Sequence, residues 1–215
     1  MKLRSPLRQA QSSTRLKIGL LTVFAVLITL PACWTYSLHP LYDDAHLTYD
    51  PLLEGTWLGK AKDDDCPQCR LVITGDSKTQ NYTIVLIDLD KTHSRTEPDL
   101  RFEAHLVQLG QERFLDAVAD GEGAGIGTLI AHNVFKVLLD ANSLVLVPLN
   151  DDWLCSASEA EQKPLGECVN GGFVLTAHTD VIQDFVRSHA NDAGVFPDPG
   201  EDDGWLHERR SGESK

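Results

Sequence analysis

From residue 55 onward the chain alternates short apolar runs with turn residues. In Arg101-Phe102-Glu103-Ala104-His105-Leu106, an extended backbone puts Phe102, Ala104 and Leu106 on one face and the polar residues on the other. Eight such runs predict strands: 55–60, 70–75, 82–89, 101–109, 113–119, 132–139, 143–149 and 172–177. Gly110 ends one run, and Asp140-Ala141-Asn142 joins two others as a short hairpin loop. No long helical segment separates most of them, which excludes parallel βαβ units and predicts a mainly β fold. The expected architecture is an eight-stranded antiparallel meander, closed or nearly closed into a barrel that removes exposed sheet edges.

Helical spacing is clear at one place. Val181, Ile182, Phe185 and Val186 form an apolar stripe, with Thr179 as the expected cap, Asp180 at the positive end, and Asp184 and Arg187 in water. This C-terminal helix is expected to pack on the barrel, and a shorter helix is expected through Asp151-Asp152-Trp153-Leu154. Residues 34–54 carry Trp34, Tyr36, Leu41, Tyr42, Leu47 and Leu53, too apolar for a free linker, while Pro40 and Pro51 break regular structure. They read as a tether lying along the domain or a membrane face. From Asn191 the chain is rich in Asp, Gly and Pro, and residues 195–215 read as largely disordered. The expected boundaries are 1–32 leader, 33–54 tether, 55–190 barrel and 191–215 acidic tail.

The leader changes the picture most. Lys2, Arg4, Arg8, Arg15 and Lys17 precede an apolar run from Ile18 to Leu30, and no acid lies before residue 43. A basic start, a short apolar run and a small residue before a cut site make an export signal. The run is shorter than the ~20 residues a transmembrane helix needs. Leu30-Pro31-Ala32-Cys33 resembles the lipobox of bacterial lipoproteins, with Leu30 and Ala32 matching at −3 and −1 and Pro31 departing at −2. The resemblance implies acylation of the Cys33 sulfur, cleavage before it, and a domain held on a membrane of the bacterial cell envelope, outside the cytoplasm. Cleavage by a general signal peptidase and an uncleaved N-terminal anchor are the alternatives.

Charge then narrows the partners. Five of the 19 basic residues and none of the 32 acids lie in residues 1–32, so the 183 residues from Cys33 carry a net charge of −18. Such a surface repels nucleic acid and anionic lipid headgroups, leaving the acyl chains as the expected membrane contact. Cys66, Cys69, Cys155 and Cys168 are even in number, and export meets oxidising conditions, so disulfides are expected. Three pairings exist; Cys66 with Cys69 and Cys155 with Cys168 are favoured because each is local. The second closes a polar loop, stabilising by about 3 kcal/mol on the chain-entropy model.

Gly55-Thr56-Trp57 at the start of the first strand, followed by further strands and a C-terminal helix, resembles the lipocalin-like (calycin) plan over residues 50–190. The resemblance implies that Trp57 plugs the closed end of a barrel and that any ligand sits between the strands at the open end. It also implies a basic residue on the last strand, packed on that tryptophan; Gly172-Phe173-Val174-Leu175-Thr176-Ala177 supplies none.

Candidate chemistry is thin. Cys66-Pro67-Gln68-Cys69 has redox spacing, but a strand follows it and Asp63, Asp64 and Asp65 precede it, which raises a thiol pKa. Zinc held by the four thiols lacks a second C-x-x-C. Gly121-Glu122-Gly123-Ala124-Gly125-Ile126-Gly127 fits neither the dinucleotide pattern nor a P-loop. His105 and His132, on separate predicted strands, read as strand-surface histidines; a carboxylate beside them would revive an enzyme or metal reading. Glu201, Asp202 and Asp203 lack calcium-loop spacing. No catalytic residue, metal or cofactor is assigned. The expectation is a non-enzymatic envelope lipoprotein whose barrel makes protein or scaffold contacts. The second reading is a carrier of a small apolar ligand or lipid lined by Tyr82, Ile84, Phe102 and Leu106, and the third an envelope enzyme or a thiol or metal protein using Cys66 and Cys69.

Overall fold

The computed structural model describes residues 35–59, 69–88, 100–120, 130–157, 162–170, 172–198 and 205–209. The lead-in contributes β1 (Tyr36–Ser37) and β2 (Leu47–Thr48). Seven strands then follow: β3 (Gly55–Gly59), β4 (Cys69–Asp76), β5 (Asn81–Asp88), β6 (Leu100–Leu109), β7 (Glu112–Ala119), β8 (His132–Leu139) and β9 (Ser143–Pro148). After them come α1 (Asp151–Ser156), β10 (Gly166–Val169), β11 (Gly172–Leu175), α2 (Thr179–Ser188) and β12 (Trp205–Arg209).

Strands β3 to β9 each pair antiparallel with the next, as the alternation requires. The eighth barrel strand is β12, antiparallel to β9 on one side and β3 on the other, and it closes the barrel. This corrects two expectations. Residues 205–209 are strand where a disordered tail was expected. Residues 172–175, expected as the eighth barrel strand, lie outside it: β11 pairs antiparallel with β10 and parallel with β1, which joins the barrel through β8. Phe173 and Leu175 explain the difference, because both are fully buried in a second core under α2. The expected boundaries at 54 and 190 therefore fall inside the fold: Leu41 and Leu53 before the first, and Val195 and Phe196 after the second, are buried.

The two cores follow from strand periodicity. Alternate residues (Trp57, Leu71, Ile73, Tyr82, Leu106, Leu115, Phe135, Leu144) fill the barrel. On the outer wall Val107, Phe114, Val134 and Val145 meet Leu154, Phe173, Ile182 and Val186 from the covering layer. Strand β9 is covered on both sides, so it reads as a continuous run, Leu144-Val145-Leu146-Val147, all buried. Helix α2 buries Ile182, Gln183 and Val186, while Val181, placed in the apolar stripe by spacing, is 37% exposed. Its cap is His178; Thr179 instead donates its hydroxyl to Pro40 O at 2.7 Å. Asn150 caps α1 by accepting from Trp153 N at 3.0 Å. Cys155 and Cys168 form a disulfide that ties α1 to β10.

Strand direction gives the barrel two unlike ends. Turns 77–80, 110–111 and 140–142 are short and share one end with the lead-in residues 49–54. The strand termini Gly59, Cys69, Asp88, Leu100, Ala119 and His132 share the other. At the short end Asp140 accepts from the backbone N–H of Asn142 and Ser143 and from the Ser143 hydroxyl, bonds that hold its carboxyl below the usual range.

Candidate functional site

Asp116 is the most unusual side chain in the outer wall. In Phe114-Leu115-Asp116-Ala117, alternation sends Leu115 and Ala117 into the barrel and Phe114 and Asp116 outward, beneath the lead-in. Asp116 is completely buried. A buried carboxylate needs hydrogen bonds to offset lost hydration. It accepts from the backbone N–H of Leu41 at 2.5 Å and from His132 Nδ1 at 2.7 Å.

His105 lies directly opposite Asp116 in the β6–β7 register. The Tyr42 ring stacks on His105 with centroids 4.0 Å apart and stands edge-on to His132 at 6.4 Å. Burial pushes the His105 pKa below its usual 6.5; Asp116 and Glu103 oppose this and His132 adds to it. Burial raises the Tyr42 phenol, and the negative Asp116 and Glu103 raise it further. Both histidines flagged by the sequence thus flank a carboxylate. The missed residue was Asp116, whose signal was an acid set inside an apolar strand.

An aspartate orienting a histidine is half of an acid–base site. Ser37, the register partner of His132, carries a hydroxyl. Ser37 is fully buried, and its Oγ donates to His39 O at 2.6 Å, so that hydroxyl is already committed to a turn. Among the described residues no group of three histidine, cysteine or acidic side chains can hold a metal ion. The cluster clamps the lead-in to the barrel. Gln183 Nε2, donating to Leu41 O at 2.8 Å, and Arg113, paired with Asp50 at 2.7 Å, fasten the same segment.

Asp116→Ala should therefore cost about 3 kcal/mol in urea unfolding, because it strips partners from a buried N–H and an imidazole. Asp116→Asn keeps an acceptor for Leu41 N and should cost about 1 kcal/mol. Equal losses would sink the clamp.

His105 gives the domain a pH dependence. Its folded pKa lies below its unfolded value, so the unfolded chain binds the proton more readily. The stability this depression concerns is complete above the unfolded value near 6.5 and is lost as pH falls from there through the folded pKa. Urea midpoints should fall between about pH 8 and about pH 5, and His105→Gln should flatten that fall.

The end with the short turns holds a second cluster. Trp57 is fully buried, and its Nε1–H donates to Leu53 O at 2.9 Å. Arg209 from β12 lies over the Trp57 ring, Cζ 4.5 Å from the centroid, and donates to the carbonyls of Leu52 and Glu54. Gly55 has φ +138°, and a Cβ there would stand 3.3 Å from Arg209 Nη1. Tyr49 stacks on Tyr82 with centroids 5.1 Å apart. A bond donated to Glu54 and burial push the Tyr49 phenol up to about 12. Burial, above all, pushes Tyr82 up to about 12, where its hydroxyl accepts from Asp50 N and donates to Asp50 O.

The expected pocket residues sit on adjacent strands. Tyr82, Ile84 and Leu106 are 1%, 5% and 0% exposed and belong to the barrel core, with Phe102 packed against it. Cys33, Cys66, the glycine-rich stretch 121–127 and residues 201–203 lie outside the described residues. Cys69 begins β4 opposite Asp88. Among the described residues no helix is long and apolar enough to cross a membrane. Compared with protein-family models, curated proteins and solved structures, the chain matches none.

Proposed function

We propose that this chain is a cell-envelope lipoprotein, anchored through Cys33, whose barrel is non-catalytic and serves protein or scaffold contacts. The observation that carries the second half is how the interior is used. Three of the four positions expected to line a ligand pocket are core side chains. Three polar groups are likewise spent on structure: Asp116 and His132 hold the lead-in, and the Tyr82 hydroxyl holds Asp50. The anchor rests on the leader and on Leu30-Pro31-Ala32-Cys33. Metabolic labelling with a radioactive fatty acid tests it: the wild-type chain should take up label and Cys33→Ser should not. Label persisting in Cys33→Ser overturns the anchor.

A second reading has an observation of its own. Arg209 packed on Trp57 supplies the other feature that the lipocalin-like resemblance implies, and favours a carrier of a small apolar ligand. Native mass spectrometry of the purified protein separates the two. A co-purifying lipid-sized mass supports the carrier; a clean protein mass supports the scaffold.

A further inference from the structure

We propose that the outward face of the β10–β11–β1 ribbon is the surface on which the domain rests against the lipid bilayer. The inference rests on the reading of Cys33 as the acylated residue. Its first support is chain length. Thr35 is only 7% exposed, and its hydroxyl lies 3.5 Å from Leu149 O, so the second residue after Cys33 is packed into the domain. Two extended residues reach about 7 Å, and the three to Tyr36 about 10 Å. Whatever surface surrounds β1 must then lie at headgroup depth once the acyl chains enter the bilayer.

The chemistry of that surface suits the place. One face of the ribbon sends Phe173 and Leu175 into the outer core. By register the opposite face carries Tyr36, Val174 and Glu167 in one row and Val169 in the next. Tyr36 is 37% and Val169 42% exposed, and Leu38, just beyond β1, is 38% exposed. Tyrosine and tryptophan favour the membrane–water boundary, and Trp34 stands between Cys33 and Thr35 in the chain. Glu167 is the sole charged residue within β1, β10 and β11. A domain of net charge −18 on so short a tether is repelled from anionic headgroups by its other surfaces and tolerated on this one. The apolar area is small, so the acyl chains hold the protein and the face fixes its orientation.

The test uses the full chain, processed in an exporting bacterium and reconstituted in phosphatidylcholine vesicles containing a spin-labelled lipid. A fluorescent amino acid is placed by codon suppression at position 38 or 169, or at control position 52 or 181, all exposed in the wild type. Positions 38 and 169 should lose most of their emission to the spin label, and 52 and 181 should keep theirs. Equal quenching at all four, in a chain that floats with the vesicles, overturns the face and leaves the anchor standing. A wild-type chain that fails to float overturns both.

Discussion

Ending the chain at Gly204 should abolish cooperative unfolding of the barrel. The truncation removes β12, and with it the pairings of His207 with Gly59, Glu208 with Leu58 and Arg209 with Trp57. It also removes the ladder from Trp205–Leu146 to Glu208–Ser143. Strands β3 and β9 then become edges with unpaired N–H and C=O groups, and the apolar interior opens to water along one side. Long apolar edges recruit other chains. The truncated protein should lose its near-ultraviolet circular dichroism and run as aggregate in size-exclusion chromatography. A peptide of residues 205–215 supplied in trans should restore part of the signal by strand addition. A truncated chain that unfolds with the wild-type urea midpoint would show that β12 does not close the barrel.

The same strand marks where the sequence stopped being readable. Alternation, or in β9 a continuous apolar run, located β3 to β9 because each runs over several residues with at least one face in a core. Trp205-Leu206-His207-Glu208-Arg209 offers five residues inside an acidic, glycine-rich stretch, and its partners lie far back in the chain. Nothing local distinguishes such a strand from a tail. Phe173 and Leu175 misled for the opposite reason: their alternation is real, but it faces the outer core under α2. Strand periodicity says that a face is buried, not against what.

The candidate site was legible in pieces. His105 and His132 could be picked out, but the residue that joins them lies on the strand between theirs. Asp116 becomes visible only when strand order sets β7 between β6 and β8. Gln183 was hidden in the same way: helical spacing leaves it beside Ile182, and only the lead-in crossing α2 gives its amide a buried partner at Leu41. Val181 lost its place in the stripe because the lead-in and barrel cover α2 on the Ile182–Gln183–Val186 side.

Trp57→Ala should destabilise the domain by about 4 kcal/mol, the usual cost of emptying a buried tryptophan site. Three contacts go together: the packed ring among Leu71, Tyr82 and Leu144, the indole N–H bond to Leu53 O, and the face on which Arg209 rests. Trp57→Phe separates them, since it keeps a ring for packing and for the cation but removes the donor, and should cost about 2 kcal/mol. Arg209→Ala loses the two bonds to Leu52 O and Glu54 O as well as the ring contact, about 2 kcal/mol in all. Arg209→Lys keeps the charge but cannot span two carbonyls with a planar fork, so it should recover less than half of that loss. The decisive number is the double-mutant cycle between Trp57→Ala and Arg209→Ala. Residues in contact at a desolvated cation–ring pair should couple by about 1 kcal/mol or more, read as urea unfolding free energies. Strict additivity would mean that Arg209 acts only as a clip on the Leu52–Glu54 backbone. A large coupling would make ring and cation one unit, fastening the first barrel strand to the last where the lead-in enters.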